Sequence, residues 1–481
     1  MRKTKIIVTI GPASRDPEIL DQLLEAGMDC ARLNFSHGTL EEHGEVIRTL
    51  REMAKQRQRP VAILQDLGGI KLRLGQMDGS VRLIPGEVVS MVTDAASDRP
   101  DVLPFPQPEV LRNLRPGHKV FISDGTVSLD VLEAGDHEVK LEVLNSAGLL
   151  SSFKGVNLPG VTIDQPVLTE ADKIALVYGM EQQVDWVAVS FVRSSADIAY
   201  AKEYLKAIGS NALVMAKMER GDGIDNIDSI LEVVDGVMVA RGDMGVEIPI
   251  EQVPLVQKSM VKKANEAAKV SAIATQMLRS MVESPTPTRA EVSDITNAVL
   301  DGCDAILLSD ETAIGQFPVE TVKVAESTIR SAESIYPYHQ EHSPRNRTQA
   351  IALAAGQLVK SLNSKPIVIT STGRAAFEVS RVRPENGVLV FSHDEAVLQK
   401  MCLGWGLYPI GVVSPERDVA TLVGTLINAA LDSGMVQHDD VVTIVHGFLP
   451  GVSGTTNTIQ VLDIGEYLSR SAARQTAAVA T

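Results

Sequence analysis

Two short segments of the chain combine charged side chains with exposed backbone at the ends of apolar runs. One apolar run ends in Arg241-Gly242-Asp243, which places bare amides beside a carboxylate. Another delivers Lys217 and Glu219 in the same way. Backbone amides bind anions, carboxylates bind divalent cations, and an ammonium stabilises the charge of a phosphoryl group in transfer. Together the two segments predict phosphoryl-transfer chemistry.

Eight apolar runs of strand length have to position these groups, and amphipathic helical patterns lie between most of them. The runs cover residues 5–10, 30–35, 61–65, 186–191, 212–216, 236–240, 271–275 and 305–308. The helical patterns include 17–26, 40–57, 197–208, 253–269 and 289–300. This alternation predicts an α/β fold, a (β/α)8 TIM barrel of residues 1–74 and 157–335, with its active site at the C-terminal ends of the strands.

Two further domains are predicted around the barrel. Residues 75–156 contain short β-rich runs and turn signals such as Pro116-Gly117, which indicate a small inserted all-β domain. A lid that closes over the site is its natural role, and a passive insertion is the alternative. After a polar linker at 336–347, residues 348–481 predict a C-terminal α/β domain with strands at 366–371, 387–391 and 441–445. Its Ala-rich end, 469–481, is predicted to be helical or frayed.

Composition and charge limit the classes of function. The 481 residues suggest several domains, and 44% hydrophobic with only 4% aromatic residues predicts an aliphatic core. A net charge of −16 argues against nucleic-acid and anionic-membrane binding, so that a phosphate site must be locally basic or metal-loaded. Cys30, Cys303 and Cys402 match no metal spacing and favour a reducing compartment. Without a signal peptide or a membrane-length apolar run, the sequence predicts a soluble cytoplasmic protein.

The polar clusters of chemical interest all fall where a predicted barrel strand ends. They are Arg32, Asn34, Ser36 and His37 after the second strand, Asp66 after the third, Phe191 and Arg193 after the fourth, Lys217 and Glu219 after the fifth, Asp243 after the sixth, Thr275 after the seventh, and Ser309, Glu311 and Thr312 after the eighth. Each cluster alone is equally compatible with a loop cap or a solvent-facing charge. Their coincidence on one rim favours an active site.

Glu219 and Asp243 are the predicted ligands of a divalent metal. Mg²⁺ retains several waters and takes only one or two carboxylates in addition to substrate oxygens, so that a pair suffices. Lys217 lies in an otherwise apolar strand, where a solvated lysine is unexpected, and its ammonium can stabilise a phosphoryl group. A structural salt bridge from Lys217 to Glu219 or Asp243 is the alternative.

Several neighbouring side chains complete the predicted rim. The planar guanidinium groups of Arg32 and Arg73 suit phosphate oxygens. Asn34, Ser36 and Asp66 supply hard oxygen ligands for a monovalent or divalent cation, although a turn role fits the first two as well.

A hydroxyl relay is a further possibility at this rim. Thr275 is a lone hydroxyl at an apolar strand end, and Ser309 and Glu311 can extend a relay from it through water. Threonine is common in strands, so that spacing alone does not decide this role.

Taken together, these segments resemble pyruvate kinase, in particular the bacterial type that lacks an extra C-terminal domain. Two of the matching motifs are Ala31-Arg-Leu-Asn-Phe-Ser-His-Gly38 and Val239-Ala-Arg-Gly-Asp-Met-Gly-Val-Glu247. The others lie at 9–14, 154–160, 189–193, 274–277, 287–291 and 308–313. The resemblance covers almost the whole chain and all three predicted domains.

The resemblance implies transfer of a phosphoryl group from phosphoenolpyruvate to ADP in glycolysis, giving pyruvate and ATP. It implies that Arg32 and Arg73 contact the phosphate, that Lys217 stabilises its transition state, and that Glu219 and Asp243 hold Mg²⁺ or Mn²⁺. The implied substrate site further includes Phe191, Ala240, Arg241, Gly242 and Thr275. Thr275, or a water linked to Ser309 and Glu311, is implied to help protonate the enolate; which donor acts is left open. Asn34, His37, Arg73 and Lys154 are implied to face ADP, which brings a second Mg²⁺.

One departure from the family's pattern concerns monovalent cations. By resemblance, Asn34, Ser36, Asp66 and Leu67 form a K⁺ site. Lys71 stands at a position that is Glu in members that require K⁺ and Lys in members that do not. Because a tethered ammonium can replace the charge of a bound cation, we expect K⁺ to be dispensable. Ile70 also replaces a proline of the family's loop.

A second departure concerns regulation. The segment Thr370-Ser371-Thr372-Gly373-Arg374-Ala375 follows a strand and opens a helix, which favours phosphate binding at backbone amides. In the family this segment binds a phosphorylated effector. The loop at 447–457 lacks a basic residue found in sugar-bisphosphate-regulated members, so that a monophosphate such as AMP or a sugar phosphate is the better expectation than fructose 1,6-bisphosphate. A merely structural turn is the alternative.

Two other interpretations stay open at this point, and the family is typically tetrameric. One is a different metal-dependent barrel enzyme, a lyase or mutase acting on phosphoenolpyruvate or a 2-oxo acid, which leaves the β insert and the third domain unexplained. The other is a regulatory paralogue that binds without turnover, although Lys217 and both metal carboxylates are present. A homotetramer without nucleic-acid or membrane partners is expected.

Overall fold

A barrel of eight parallel strands forms the centre of the molecule, in a computed structural model that describes residues 1–416, 418–447 and 456–470. Its strands are Lys5–Thr9, Cys30–Asn34, Ala62–Asp66, Trp186–Val189, Leu213–Met218, Gly236–Ala240, Val270–Ala274 and Ala305–Leu308. The first strand pairs with both the second and the eighth, which closes the sheet. The predicted barrel is confirmed, and each strand lies within two residues of its predicted bounds.

Helices surround the barrel in alternation with its strands. They are Pro17–Ala26, Leu40–Gln56, Glu170–Glu181, Ser195–Ala207, Ile227–Val233, Val253–Glu266, Arg289–Asp301 and Pro318–Glu333, with short helices Gly221–Asp225, Arg241–Glu247 and Asp310–Ala313 and 3₁₀ turns Ile250–Gln252 and Arg279–Val282 at the loops. Thr39, Thr169 and Thr288 begin three of them with reciprocal capping boxes. Such caps satisfy the first amides of a helix and fix where it starts.

The barrel interior is packed rather than open. Alternate strand residues such as Ile7, Leu64 and Met238 point inward and are fully or almost fully buried. Cys402 and Leu403 of the C-terminal domain join this inner cluster. A filled interior confines the chemistry to the loops at the C-terminal rim.

The insert between the third and fourth barrel strands is a separate β-sheet with its own core. Its six-stranded sheet contains Val88–Val92, Val102–Pro104, Lys119–Ile122, Val127–Ala134, Glu138–Ser146 and Val156–Asn157, beside a pair formed by Gln76–Met77 and Ala96–Ser97 and a short helix, Pro108–Leu111. The additional sheet domain is confirmed, whereas the boundaries 75 and 156 stay a prediction.

The C-terminal domain is α/β, as predicted. Its sheet contains Lys365–Ile369, Val388–Ser392, Leu407–Val412, Val441–Gly447 and Thr456–Asp463, and its helices are Arg347–Leu362, Arg374–Arg381, Glu395–Met401 and Val419–Asp432. The sequence did not indicate Leu407–Val412, which contains Pro and Gly, or the antiparallel edge strand Thr456–Asp463, which is half polar. Most of the segment 469–481 lies outside the described residues.

No helix in the described ranges has the length and apolar character needed to cross a membrane.

A buried arginine joins the C-terminal domain to the barrel. Arg383 is only 2% exposed and donates to Asp304 Oδ1 at 3.1 Å and to Gly302 O at 2.8 Å. Its guanidinium lies 4.8 Å from the ring centre of Trp405, whose amide also donates to Asp304. Asp304 Oδ2 in turn accepts from the Ser271 amide at the start of a barrel strand. A buried ion pair therefore connects the two domains.

We predict that Arg383→Met destabilises the fold by about 3–5 kcal/mol, because it leaves the buried carboxylate of Asp304 without its cation. Urea unfolding followed by circular dichroism measures the change. The control is Arg57→Met, which breaks an ion pair with Asp21 between side chains that are 35% and 47% exposed. This substitution should cost less than about 1 kcal/mol. Equal losses in the two variants would contradict the anchoring role.

Candidate active site at the barrel rim

Arg32 and Asp66 meet at the rim because the second and third strands are paired in register there. Arg32 Nε donates to Asp66 Oδ2 at 2.6 Å, and its Nη1 donates to Thr9 Oγ1 at 2.9 Å. Asp66 is 1% exposed. Burial raises the pKa of Asp66, but the charges of Lys217 and Arg32 outweigh burial and hold that pKa below its ordinary value. Asp66 is therefore a fixed anion between two cations.

Lys217 occupies the middle of this network. Its Nζ lies 3.0 Å from Glu219 Oε1 and 3.3 Å from Asp66 Oδ1, and it donates to Ser190 Oγ at 2.8 Å. Burial opposes the charged form, but Asp66 and Glu219 together raise the pKa of Lys217 above its ordinary value. The structure thus holds a permanently charged ammonium at the end of an apolar strand.

Glu219 and Asp243 follow adjacent strands and form the acidic side of the site. Glu219 is 2% exposed, and its Oε2 accepts the Phe191 amide at 2.8 Å. Burial, together with the nearby Asp243 charge, raises the pKa of Glu219 despite the adjacent Lys217. Two neighbouring carboxylates in a partly dry site favour a cation between them.

These donors fit a divalent metal of the magnesium type. Both are hard oxygen ligands, and Mg²⁺ uses one or two carboxylates with water and substrate oxygens completing its shell. The described ranges contain no group of three or more His, Cys, Asp and Glu side chains suited to a metal. A pair of carboxylates suits an ion whose remaining positions are completed by water and substrate oxygens.

Thr275 stands beside the first turn of the helix Arg241–Glu247, whose leading amides have no partner within the helix. Its backbone has φ +77°, which is unusual for a β-branched residue. A Cβ on Gly242 would lie 2.9 Å from Thr275 Cγ2, so that only glycine allows this approach. Gly242 and Thr275 are thereby in close contact at the rim.

The side chain of Arg241 corrects one prediction. It was expected to contact substrate, but its guanidinium pairs with Asp294 at 2.7 Å and donates to Ala274 O and Thr275 O. Gln257 and Met277 occupy its other donors. Arg241 therefore points to the outer helices and holds the strained Thr275 turn in place.

Glu311 corrects a second expectation. It is fully buried, and its two oxygens accept the amides of Leu278 at 3.1 Å and Ser309 at 2.7 Å. With both oxygens committed to backbone, Glu311 ties the ends of the seventh and eighth strands together. It suits a positioning role better than a proton relay.

The residues predicted to face nucleotide or a monovalent cation are more scattered. Asn34 Oδ1 accepts the Ser36 amide in a local turn, while Ser36 and His37 are exposed. Lys154 and Arg73 lie exposed in the lid connections, where Arg73 Nη1 donates to Phe153 O at 3.0 Å. In the described part of the chain, no hydrogen bond or ion pair joins the side chains of Arg73 and Lys154 to Lys217, Asp66 or Glu219, whereas Asn34 pairs with Asp66 through the backbone of adjacent strands.

Lys71 is exposed and lies over the lid's returning segment. Its Cε would be 3.5 Å from a Cβ on Gly155, and it lines a small cavity together with Phe191, Asp243 and Glu247. Leu67 is buried, and its carbonyl accepts from Ser190. Lys71 thus lines the same cavity as Asp243, one of the two predicted metal ligands. Within the described ranges, no hydrogen bond or ion pair joins the Lys71 side chain to Asn34, Ser36 or Asp66.

Two polar residues of the site, Ser190 and Asp172, were not predicted from the sequence. Ser190 contacts Lys217 directly, and Asp172 accepts the Gly69 amide at 3.2 Å where the chain enters the lid. Ser190 lies inside the motif at 189–193, but a serine at a strand end carries no charge signal. From sequence, Asp172 is typical only of a helix cap.

The predicted effector segment forms a tight turn before a helix. Thr370 Oγ1 accepts the Gly373 amide at 3.0 Å, and Gly373 has φ +85°. Ser371, Thr372 and Arg374 are exposed, whereas Ala375 is buried. Residues 448–455 of the neighbouring loop, on which the prediction at 447–457 also rested, lie outside the described residues.

Comparisons with known proteins agree along the chain. Residues 1–322 match the family model of the pyruvate kinase barrel domain, and residues 349–462 match that of the pyruvate kinase alpha/beta domain. The chain is 40% identical over 485 residues to a pyruvate kinase of Geobacillus stearothermophilus, covering 98% of this chain and 81% of that one. It is 39% identical to a pyruvate kinase of Sporosarcina psychrophila, with shares of 98% and 82%. A crystal structure of a pyruvate kinase from Cryptosporidium parvum has a TM-score of 0.90 and 33% identity, covering 96% of each chain.

We predict that Glu219→Gln and Asp243→Asn each weaken Mn²⁺ binding by about tenfold or more, because each removes an anionic ligand. Electron paramagnetic resonance of free Mn²⁺, titrated with protein alone, measures this affinity. Asp222→Asn is the control, since that carboxylate pairs with Arg220 instead. Unchanged Mn²⁺ affinity in both site variants would rule out the assigned metal site.

Proposed function

Because the chain belongs to the pyruvate kinase family of phosphotransferases, we propose that its barrel rim moves a phosphoryl group from phosphoenolpyruvate to ADP through Lys217, Arg32 and the Glu219–Asp243 pair. The observation that carries this assignment is the ammonium of Lys217, on a side chain that is 14% exposed, held between Asp66 and Glu219. A charged lysine with so little exposure to water is suited to the charge of a phosphoryl group between donor and acceptor.

The phosphate end of the substrate would meet the cationic side of the rim. Arg32 is already oriented by Asp66 and Thr9, which leaves its planar face pre-organised for phosphate oxygens. Arg73 lies in the lid connection, so that it would approach the phosphate when the lid closes. Lys217 would then stabilise the charge that develops on the group in transfer.

Glu219 and Asp243 would hold the divalent metal that the family requires, and we propose Mg²⁺, with Mn²⁺ as a substitute. When bound, this ion supplies positive charge to the oxygens of the substrate. The protein's own contribution is to place the two carboxylates after adjacent strands and to pair Glu219 with the Lys217 ammonium.

The substrate carboxylate would lie against the leading amides of the helix after Ala240, around Gly242 and Asp243, with Phe191 and Thr275 at the sides. In the reaction the enol-phosphate O–P bond breaks and a new O–P bond forms to the terminal phosphate of ADP. The remaining enolate takes a proton at its methylene carbon. Thr275, or a water near Ser309, is the proposed donor, while Glu311 positions the loop.

ADP would enter on the lid side of the site. Asn34, His37, Arg73 and Lys154 are the proposed contacts, with a second Mg²⁺ carried by the nucleotide. All four lie at the rim or in the lid connections. Lid closure would exclude water, which strengthens every electrostatic contact within the site.

We further propose that K⁺ is not required. Asp66, the charged member of the proposed K⁺ site with Asn34, Ser36 and Leu67, already has two cationic partners. Lys71 brings a further positive charge to the small cavity that Asp243 also lines. This local charge is the support for a built-in replacement of the monovalent cation.

Regulation and assembly are also proposals. The turn formed by residues 370–375 presents hydroxyl and guanidinium groups before a helix, which suits a phosphorylated effector. A homotetramer in the cytoplasm that acts in glycolysis is the remaining expectation from the family.

The first test of catalysis is Lys217→Met. We predict a loss of turnover of at least about 10³-fold, because the substitution removes the cation that faces the transferring group. Pyruvate release from phosphoenolpyruvate, ADP and Mg²⁺, coupled to NADH oxidation by lactate dehydrogenase, measures it.

Lys263→Met is the control for Lys217→Met, since Lys263 forms a surface ion pair with Asp228 and should leave turnover unchanged. Circular dichroism verifies the fold of both variants. Substantial turnover in Lys217→Met would overturn its role. An inactive wild type, with and without K⁺, would instead favour the non-catalytic paralogue.

The second test concerns K⁺. In buffer free of Na⁺ and K⁺ we expect the wild type to be fully active, and Lys71→Glu to become active only when K⁺ is added, because the substitution reverses the local charge. Lys119→Glu, on the lid at an ion pair with Asp130, is the matched control. A wild type that needs K⁺ would refute the lysine argument and leave the enzyme assignment intact.

A further inference from the structure

Lys217 has a third partner that is neither an acid nor a substrate group. Its Nζ donates to Ser190 Oγ at 2.8 Å, the shortest of these three contacts, compared with 3.0 Å to Glu219 and 3.3 Å to Asp66. An ammonium has three N–H donors, and the hydrogen bond to Ser190 fixes the direction of one of them, while Glu219 and Asp66 contact the ammonium as ion pairs. Ser190 is the uncharged one.

The Ser190 hydroxyl is itself oriented by the barrel. Ser190 is 1% exposed, and its Oγ donates to Leu67 O at 2.7 Å. A hydroxyl carries one proton, so that a hydroxyl which donates to Leu67 must accept from Lys217. Its lone pair is therefore held towards the ammonium.

Leu67 is also where the chain leaves the barrel for the lid. Its amide donates to Ala188 O at 3.0 Å, which extends the pairing of the third and fourth strands. Gly69, two residues further on, has φ +64°, and a Cβ there would lie 2.8 Å from Ser190 Cβ. Ser190 and the first lid connection are packed so closely that neither can shift without the other.

A buried carboxylate also joins this connection to the returning one. Asp172 Oδ1 accepts the Gly69 amide at 3.2 Å, and its Oδ2 accepts the amide and hydroxyl of Thr169 at 2.9 and 2.7 Å. Thr169 ends the chain's return from the lid, and Asp172 is 4% exposed. Hydrogen bonds thus run from Lys217 through Ser190 to Leu67 O, the chain continues from Leu67 to Gly69, and Asp172 joins Gly69 to the returning connection.

We propose that Ser190 is a positioning residue that directs the Lys217 ammonium and keeps it in register with the lid connections. This inference rests on the proposed function, because it needs Lys217 to act on the phosphoryl group. A metal held by Glu219 would share that carboxylate with Lys217, whereas the neutral Ser190 hydroxyl is a much weaker metal ligand. Ser190, together with Asp66, would therefore keep its contact with the ammonium when Glu219 binds the metal.

Ser190→Ala tests the proposal. We expect kcat to fall by about 10- to 100-fold, the effect of losing one hydrogen bond to a charged group, while KM for phosphoenolpyruvate stays within about threefold. Ser271→Ala is the matched control: Ser271 is also a fully buried barrel serine with a bonded hydroxyl, but its partner is Asp304 at the opposite end of the barrel. It should lower the melting temperature without changing kcat.

Amide hydrogen exchange of residues 67–74 and 156–169, followed by mass spectrometry with Mg²⁺ and phosphoenolpyruvate, is the second readout. Exchange of the 67–74 segment should be faster in Ser190→Ala than in the wild type and unchanged in Ser271→Ala. A purely structural serine would change stability alone.

Three results would overturn the proposal while wild-type turnover stays intact: an unchanged kcat in Ser190→Ala, equal losses of kcat in both variants, or unaltered exchange at 67–74. If Ser190→Ala does not fold, Ser190→Cys, which keeps the size but weakens the hydrogen bonds, decides the question in the same way. A wild type without turnover would instead refute the proposed function.

Discussion

The structure depends on one balance of charge at the barrel rim. Lys217 lies between Asp66 and Glu219, with Arg32 on the far side of Asp66 and Asp243 beside Glu219. Two cations against three carboxylates leave one negative charge in excess. Burying any of these groups alone would cost several kcal/mol, so that each requires the others. The excess negative charge favours a divalent cation, and the cation would in turn offset the repulsion between a phosphate and a chain with a net charge of −16.

The rest of the architecture serves to keep that balance at one place. The interior of the barrel is filled, and Cys402 and Leu403 of the C-terminal domain complete its packing away from the rim. Arg383 and Asp304 fix that domain against the barrel. At the rim the inserted sheet is held by Asp172, and by the guanidinium of Arg193, which donates to Gln165 O on the returning connection. Because the C-terminal domain covers the opposite end of the barrel and the inserted sheet is held at its connections, the rim is the accessible region for chemistry.

Repetition and the strand-end rule account for the parts of the architecture that the sequence predicted. Eight apolar runs sufficed for the barrel, and Lys217, Glu219 and Asp243 could be placed at one rim because residues that follow parallel barrel strands lie at the same end. Prediction failed where a role depends on a tertiary partner. Arg241 points outward because Asp294 lies on a later helix, and Glu311 is committed because backbone amides surround it. No pattern in the sequence encodes either contact.

Backbone strain at the rim links the residues that support the fold to the residues that would act on the substrate. Phe191 and Thr275 have φ +55° and +77°, conformations that cost of the order of 1–3 kcal/mol each for residues other than glycine. The Phe191 amide donates to Glu219, and the Thr275 carbonyl accepts from Arg241. Glu219, which would bind metal, therefore also stabilises the strained backbone at Phe191. Arg241, which was expected at the substrate, stabilises the strained backbone at Thr275. Because the same bonds hold the backbone and orient the site, a change in either Glu219 or Arg241 alters scaffold and chemistry together.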